Sequence, residues 1–383
     1  TASYHSGLQP IVKSNRPDVF AFLSGSAKKA GFLLGIFVLL SFANASAATI
    51  TSTRAGGNWN NPATWVGGVV PSTGDDVTIA SGATVVIDSD AVVGTLTVSG
   101  ILQYDSTVAY ALTVTEFITV NAEGVFRSAQ SGSIKNHRLI AHGSIINNGT
   151  IDFSSNANET GVELVFTGPG NAIFNCSDAI LTNLRQGNGI ILNKGKSAAS
   201  VLSFIPGKAF RVLSDGSTTA KGFLIIENGT FNIIGSRNFR NPVFSADGTY
   251  TIPATGGLWL GNQNAEIAGM NGDVIIQGEL KITNGIFNGG ISGENSVITE
   301  GNGLLKISGG VVNVAGKLTA DGGVCSISDG TLNLAMHPNS ANNEPALGVS
   351  PKAKLEIYGN PLITITYSNS GPTLANDIQL QGG

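Results

Sequence analysis

The chain has 383 residues, of which 51 are glycine, 12% are charged and 42% are hydrophobic, and its formal net charge is −4. Low charge with high apolar content excludes a disordered chain, and the lack of a basic excess argues against a nucleic-acid partner. The glycine excess indicates many tight turns, because glycine adopts positive φ angles without strain.

The N-terminal residues 1–47 have the order of a secretory signal peptide. Lys28 and Lys29 precede an apolar run at 31–42, and an A-x-A motif ending at Ala47 follows as a cleavage site. The run is too short to span a bilayer as an ordinary helix, so a retained anchor is the weaker alternative. We predict cleavage there, an extracellular or outer-surface location, and no membrane-spanning segment afterwards.

Residues 48–130 are predicted to form a series of short strands. Apolar and polar residues alternate in VTIASGATVVID at 77–88 and TLTVSGILQY at 95–104, and glycine-containing turns separate such segments. Alternation with a period of two, broken about every ten residues, predicts an all-β module.

This module begins with the motif N-W-x-x-P-x-T-W-x-G-G-x-x-P-x-x-G-D-D-V at 58–77. With the apolar and glycine positions that follow, the segment 54–130 resembles the G8 domain, an all-β module of extracellular and membrane-tethered proteins. The resemblance implies an extracellular setting, often beside a parallel β-helix, and it supplies no catalytic residues. The rest of the chain resembles, more loosely, the repetitive surface proteins that Gram-negative bacteria export.

Two tryptophans of the motif, Trp59 and Trp65, have two interpretations. They pack as a cap over the open N-terminal end of the strands, where unpaired backbone invites aggregation, or they form a stacking platform for carbohydrate. The cap is favoured, because large aromatic rings with one polar atom are usually packing elements when a core is available. The binding role stays open, since the two rings lie six positions apart in a loop rich in Asn and Gly.

Four aspartates of the same module, Asp75, Asp76, Asp88 and Asp90, are candidate calcium ligands. The glycine-rich calcium repeat is absent, which weakens the calcium interpretation. For Asp75 and Asp76 the favoured role is to accept hydrogen bonds from turn amides. The Gly-Asp-Asp triplet that contains the first two also matches one part of a polygalacturonase-type motif, but the sequence lacks the other parts. We expect no cofactor, with calcium as the alternative.

Residues 131–223 alternate less regularly and carry predicted loops at 154–160 and 193–200, and a longer polar loop follows residue 334. Cys176 and Cys325 each alternate with apolar neighbours, which predicts that both point inward. They lie on rungs too far apart to form a disulfide, so we expect two buried, unpaired thiols.

A ten-residue phrase recurs in the second half of the chain. It reads LIIENGTFNI at 224–233, LKITNGIFNG at 280–289, LKISGGVVNV at 305–314 and CSISDGTLNL at 325–334, aligned on Gly229, Gly285, Gly310 and Gly330. A looser copy, INNGTIDF, lies at 146–153. The closest spacings between the aligned glycines are 20 and 25 residues, which is typical of strand–turn rungs in a β-solenoid.

The repeated phrase also predicts which side chains stack. Residues two apart on a strand share a face, so Phe231, Phe287, Val312 and Leu332 are expected to form an inward apolar column. The asparagines that follow them, Asn232, Asn288, Asn313 and Asn333, are expected to form an outward column. Such a column is either a hydrogen-bonded amide ladder, which is the favoured role, or a row of polar contacts for a sugar chain.

The combined prediction is an all-β protein: a parallel β-helix (β-solenoid), right-handed by the crossover rule, headed by a G8-like all-β module. The predicted divisions are 1–47 (signal peptide and upstream extension), 48–130 (G8-like module or cap) and 131–383 (β-helix, with a truncated C-terminus expected). The favoured function is a secreted or cell-surface structural, adhesin-type protein without catalytic activity, which presents a polar face to glycans or other surfaces. The alternatives are a β-helix lyase or glycoside hydrolase, and a carbohydrate-binding accessory module.

Overall fold

Short parallel strands make up the regular structure, as the period-two alternation predicts. The computed structural model describes residues 47–214, 221–246, 248–337, 345–366 and 378–380. The predicted signal peptide and part of the polar loop after residue 334 therefore lie outside the described residues. Every register pairing between described strands is parallel, and the antiparallel Ser52–Trp65 contact is an isolated bridge.

The strands are short, and most begin or end at a glycine, asparagine or aspartate turn. In chain order they are β1 (Thr49–Thr51), β2 (Gly57–Asn58), β3 (Asp76–Ile79), β4 (Thr84–Ile87), β5 (Ala91–Val93), β6 (Thr95–Val98), β7 (Ile101–Tyr104), β8 (Ala111–Val114), β9 (Ile118–Val120), β10 (Val125–Arg127), β11 (His137–Ala141), β12 (Ile145–Asn147), β13 (Thr150–Asp152), β14 (Val162–Phe166), β15 (Ala172–Asn175), β16 (Leu181–Arg185), β17 (Ile190–Asn193), β18 (Val201–Ile205), β19 (Phe210–Leu213), β20 (Leu224–Ile233), β21 (Asn238–Phe239), β22 (Tyr250–Ile252), β23 (Gly256–Leu260), β24 (Glu266–Ile267), β25 (Val274–Ile276), β26 (Glu279–Ile282), β27 (Ile286–Gly289), β28 (Val297–Thr299), β29 (Leu304–Val314), β30 (Leu318–Ala320), β31 (Gly323–Leu334), β32 (Leu347–Val349), β33 (Ala353–Ile357), β34 (Leu362–Ile365) and β35 (Ile378–Leu380). Two single-turn 3-10 helices, Pro62–Thr64 and Asn156–Asn158, interrupt the loops.

The strands stack as three ladders, which we call faces A, B and C, and each coil of the chain visits them in that order. Face A runs β1–β3–β6–β9–β12–β15–β18–β20–β23–β26–β29–β31–β33. Face B runs β2–β4–β7–β10–β13–β16–β19 and then β21–β24–β27–β29–β31–β34. Face C runs β5–β8–β11–β14–β17–β20 and then β22–β25–β28–β30–β32–β35. This is a three-faced parallel β-helix.

The coils vary in length, because the loops between faces differ while the strands stay in register. Asp76 pairs with Thr95, 19 positions later, whereas Phe174 pairs with Phe204, 30 positions later. Face A nevertheless continues without a break from β1 to β33, so the described residues around the G8-like motif and those after it share one stack. All described residues also fall in one compact unit.

The core lies inside the coils and follows the alternation of each strand. In β3, Val77 and Ile79 are buried while their neighbours are half-exposed. The same pattern repeats coil after coil, so inward residues form continuous apolar columns that a solenoid can extend indefinitely.

Faces B and C are both interrupted where β19 gives way to β21 and β20 gives way to β22. No register pairing joins these strands within the described chain, and an isolated bridge between Leu224 and Phe244 is the link on face C. Face A alone carries the ladder through this point, by way of β18, β20 and β23.

The aligned glycines occupy corners between faces and need the left-handed backbone region. Gly229, Gly285, Gly310 and Gly330 have φ angles of 88°, 80°, 67° and 81°. A Cβ on Gly310 would lie 2.6 Å from the carbonyl oxygen of Gly285. The corner therefore excludes a side chain both by its dihedral angle and by the close approach of the preceding coil.

Candidate functional site

Three of the four predicted asparagines form the expected ladder on the outside of face B. Asn288, Asn313 and Asn333 are register partners. The amide of Asn313 donates to Oδ1 of Asn288 at 2.8 Å, and the amide of Asn333 donates to Oδ1 of Asn313 at 2.8 Å. Asn288 donates to the Ile267 carbonyl at one end, and the Thr364 hydroxyl donates to Asn333 at the other. The ladder prediction is confirmed for these three residues.

Asn232 does not belong to this ladder, and here the prediction was wrong. It lies on face A, where its register partners are Ser203 and Trp259. The phrase at 224–233 turns from face C to face A, whereas the other three phrases turn from face A to face B. For the same reason Phe231 pairs with Leu258 and not with the inward column of Phe287, Val312 and Leu332. The two corners have the same local sequence, so the phrase alone does not distinguish them.

Trp59 and Trp65 are both buried in the first coil. Their ring centroids lie 5.0 Å apart with an interplanar angle of 76°, and Nε1 of Trp65 donates to the Trp59 carbonyl at 2.7 Å. The two side chains are 1% and 2% exposed. Neither ring offers a free face to a sugar, and the geometry is that of a packed pair at the start of the stack.

The four aspartates each accept at least one hydrogen bond from another residue of the chain. Asp75 accepts from the amides of Ala48 and Ser72 and from the Ser72 hydroxyl, and Asp76 accepts from the Thr95 hydroxyl at 2.7 Å. Burial opposes ionisation of Asp75, yet these hydrogen bonds lower its pKa.

The other two aspartates behave in the same way. Asp88 accepts from the amide of Asn60 at 2.9 Å, and Asp90 accepts from the amide of Ala111 at 2.8 Å. The part of the chain that the structure describes contains no group of three or more His, Cys, Asp or Glu side chains arranged to hold a metal ion. Asp75 therefore caps its own turn at Ser72, whereas Asp76, Asp88 and Asp90 accept hydrogen bonds from residues 19 to 28 positions away.

Both cysteines are buried and unpaired, as predicted. Burial raises the pKa of Cys176 to about 12 and that of Cys325 to about 11. Thiols with such pKa values are protonated at neutral pH and are poor nucleophiles.

A half-buried tryptophan on the outside of face A was not identified by the sequence analysis. Trp259 lies in β23 between the buried residues Leu258 and Leu260, so its indole points outward. Its Nε1 donates to the Thr283 hydroxyl at 2.9 Å, and the ammonium of Lys281 lies 3.7 Å from the ring centroid. The signal was present in the segment GGLWL at 256–260, because the alternation assigns its tryptophan to the outer side.

Trp259 belongs to an outward row of polar side chains, which we call the face A tract. The tract consists of Asn232, Trp259, Lys281, Lys306, Ser326 and Glu356, each the register partner of the next. Neighbouring strands are about 4.8 Å apart, so the row extends for roughly 24 Å along the stack. Its accessible groups are the indole of Trp259, the ammonium groups of the two lysines and the carboxylate of Glu356, because Asn232 and Ser326 are only 5% and 6% exposed.

Stacked parallel coils with apolar columns inside and polar ladders outside define a β-helix protein. The sequence pattern that defines the G8 domain family matches residues 64–164, so the chain contains a G8 domain. This match begins ten positions later and ends 34 positions later than the segment 54–130 proposed from the motif. The strands from β3 to β13 lie within it and stack in the same three ladders as the rest of the described chain.

No curated protein and no solved structure matches the chain. Within the described residues, no helix is long and apolar enough to cross a membrane.

Proposed function

We propose that the protein is an extracellular, non-catalytic β-helix of the surface or adhesin type, which binds glycan chains along face A. The observation that carries the proposal is the face A tract around Trp259. The location is supported by the signal-peptide pattern of residues 1–47.

The chemistry of the tract suits a sugar chain. An indole provides an apolar surface for the CH groups of a pyranose, and its fixed hydrogen bond to Thr283 orients the ring in advance. Lys281 and Lys306, which are register partners on neighbouring strands, supply donors for hydroxyl groups. A sugar that stacks on the indole takes the place of the Lys281 ammonium, which a flexible lysine side chain permits.

The fold supports binding along a line. Each coil is fixed by its neighbours through the ladder, so the row is rigid and loses little conformational entropy when a ligand binds. A chain-like ligand can contact several coils in succession, which suits a polysaccharide better than a small molecule.

The test is affinity electrophoresis of the wild-type protein and two variants through gels that contain neutral polysaccharides. Trp259→Ala should reduce retention at least fivefold, while Phe117→Ala, which removes an exposed aromatic ring from a distant coil, should retain wild-type behaviour. Equal retention of both variants would refute the face A site. Release of reducing ends from any polysaccharide would show an enzyme instead, and the non-catalytic part of the proposal would be abandoned.

A further inference from the structure

A cleft opens on face B at the interruption between β19 and β21. Its volume is about 660 Å³, and residues 210–213 and 236–242 line most of it. β19 and β21 are the face B strands of consecutive coils, but no register pairing joins them in the described chain, so the ladder opens between them. The cleft is a consequence of the broken ladder, and it lies beyond the region that matches the G8 domain.

Phenylalanine rings close the bottom of the cleft. Phe210, Phe223 and Phe239 line it and are all at least 95% buried. Their ring centroids lie 5.5 Å and 5.9 Å apart, and Phe204 packs against Phe210 at 5.2 Å. This cluster fills the core where the ladder breaks, so the cleft has a rigid apolar floor.

Among the residues that the structure describes, the rim of the cleft carries three arginines and no acidic side chain. Arg237 is held in place, because its guanidinium donates to the carbonyls of Phe210 at 2.8 Å and Lys208 at 3.3 Å. Arg211 and Arg240 are exposed, and neither makes a salt bridge within the described part of the chain.

The carboxylate on the next strand of face B hydrogen-bonds to asparagines and not to the rim arginines. Glu266, in β24, accepts from the side-chain amide of Asn238 at 2.6 Å through one oxygen and from that of Asn288 at 3.2 Å through the other. Both oxygens are therefore engaged by neutral donors. Glu266 keeps its negative charge, but it forms no salt bridge with the cleft arginines in the described part of the chain.

The sequence shows how unusual this concentration of positive charge is. The segment 208–240 holds five basic residues, Lys208, Arg211, Lys221, Arg237 and Arg240, and two acidic ones. The whole chain has 21 basic and 25 acidic residues. A local excess of positive charge in an acidic protein concentrates anionic ligands at that place.

We propose that this cleft binds the carboxylate or sulfate group of an acidic polysaccharide. The planar guanidinium groups match such oxyanions with paired hydrogen bonds. The side-chain amides of Asn238, Asn241 and Asn264, which also line the cleft, supply partners for sugar hydroxyls. A space of this volume is in the range of small-ligand sites, which suits a short stretch of a sugar chain. The site is separate from the face A tract and does not depend on it.

The experiment measures binding of polygalacturonate, dextran sulfate and neutral dextran by isothermal titration calorimetry. The variant Arg211→Gln/Arg240→Gln should bind the acidic polymers at least tenfold more weakly than the wild-type protein. The control Lys196→Gln/Lys352→Gln removes the same charge from exposed positions that do not line the cleft and should bind them as the wild-type protein does. The expected affinity falls as salt is raised, because exposed charges are screened.

Each outcome has a defined meaning. A loss for polygalacturonate alone assigns a carboxylate ligand, and a loss for dextran sulfate alone assigns a sulfate. Wild-type binding by the arginine variant, or an equal loss in the lysine control, overturns the proposal, because binding would then not depend on the cleft. Far-UV circular dichroism and the urea midpoint verify folding, which the two exposed arginines should not affect. Trp259→Ala tests face A on neutral polymers, so failure of one site is distinguishable from failure of the other.

Discussion

Removal of the central amide of the face B ladder should destabilise the protein measurably. Asn313 makes two ladder hydrogen bonds, one as donor to Asn288 and one as acceptor from Asn333, each of 2.8 Å. A typical hydrogen bond contributes about 0.5–1.5 kcal/mol net, and a partner left unsatisfied costs more when it is buried. Because the asparagines are half-buried, we expect Asn313→Ala to lower the free energy of unfolding by about 2 kcal/mol.

The assay is urea denaturation followed by circular dichroism, with the shift in midpoint converted through the denaturant slope. Asn302→Ala is the matched control, since Asn302 is exposed in a turn, and its cost should stay under about 0.5 kcal/mol. Asn313→Asp adds a second test, because a carboxylate would face Oδ1 of Asn288 without a proton to donate. That variant should recover stability relative to the wild-type protein as the pH falls and the carboxyl group is protonated. If Asn313→Ala matches Asn302→Ala, the amide ladder contributes nothing and the reasoning is refuted.

Three further predictions follow from the corners and the buried side chains. Gly310→Ala should lower the free energy of unfolding by about 3 kcal/mol or more, and Gly301→Ala by only about 1 kcal/mol. Both glycines have a positive φ, but a Cβ would meet the preceding coil only at Gly310. Equal urea midpoints for the two variants would contradict the close approach. Trp65→Phe should lower the free energy of unfolding by about 1–2 kcal/mol more than Trp59→Phe. The reason is that Nε1 of Trp65 donates to a carbonyl, whereas Nε1 of Trp59 is buried without a partner. Thermal denaturation of the two variants tests this order. Burial lowers the pKa of His137 in the folded protein despite the nearby Asp105, so the unfolded chain binds a proton near pH 6.5 that the folded chain does not. The free energy of unfolding should therefore decrease as the pH is lowered from 7.5 to 5.5. His137→Gln should make this decrease smaller, whereas the control His337→Gln, at an exposed position, should leave it unchanged.

The local features of the coils could be predicted from the sequence because they depend on neighbouring residues. Alternation assigns Val77 and Ile79 to the core, and a corner with a positive φ requires glycine at Gly285 and Gly310. The ladder of Asn288, Asn313 and Asn333 follows as well, since three copies of one phrase at a short spacing stack in register.

Which face a strand joins was decided by the tertiary structure. A strand–glycine–strand corner can join any two faces with the same local backbone conformation. The phrase around Gly229 therefore did not predict that this segment turns from face C to face A. The burial of Trp59 and Trp65 depends on how the first coil closes over the stack, which no neighbouring residue specifies. The cleft rimmed by Arg211 and Arg240 exists because β19 and β21, on consecutive coils of face B, do not pair with each other. Pairing between coils is a long-range property, because register partners lie 17 to 35 positions apart in the chain. The packing of the whole stack selects among the possible partners.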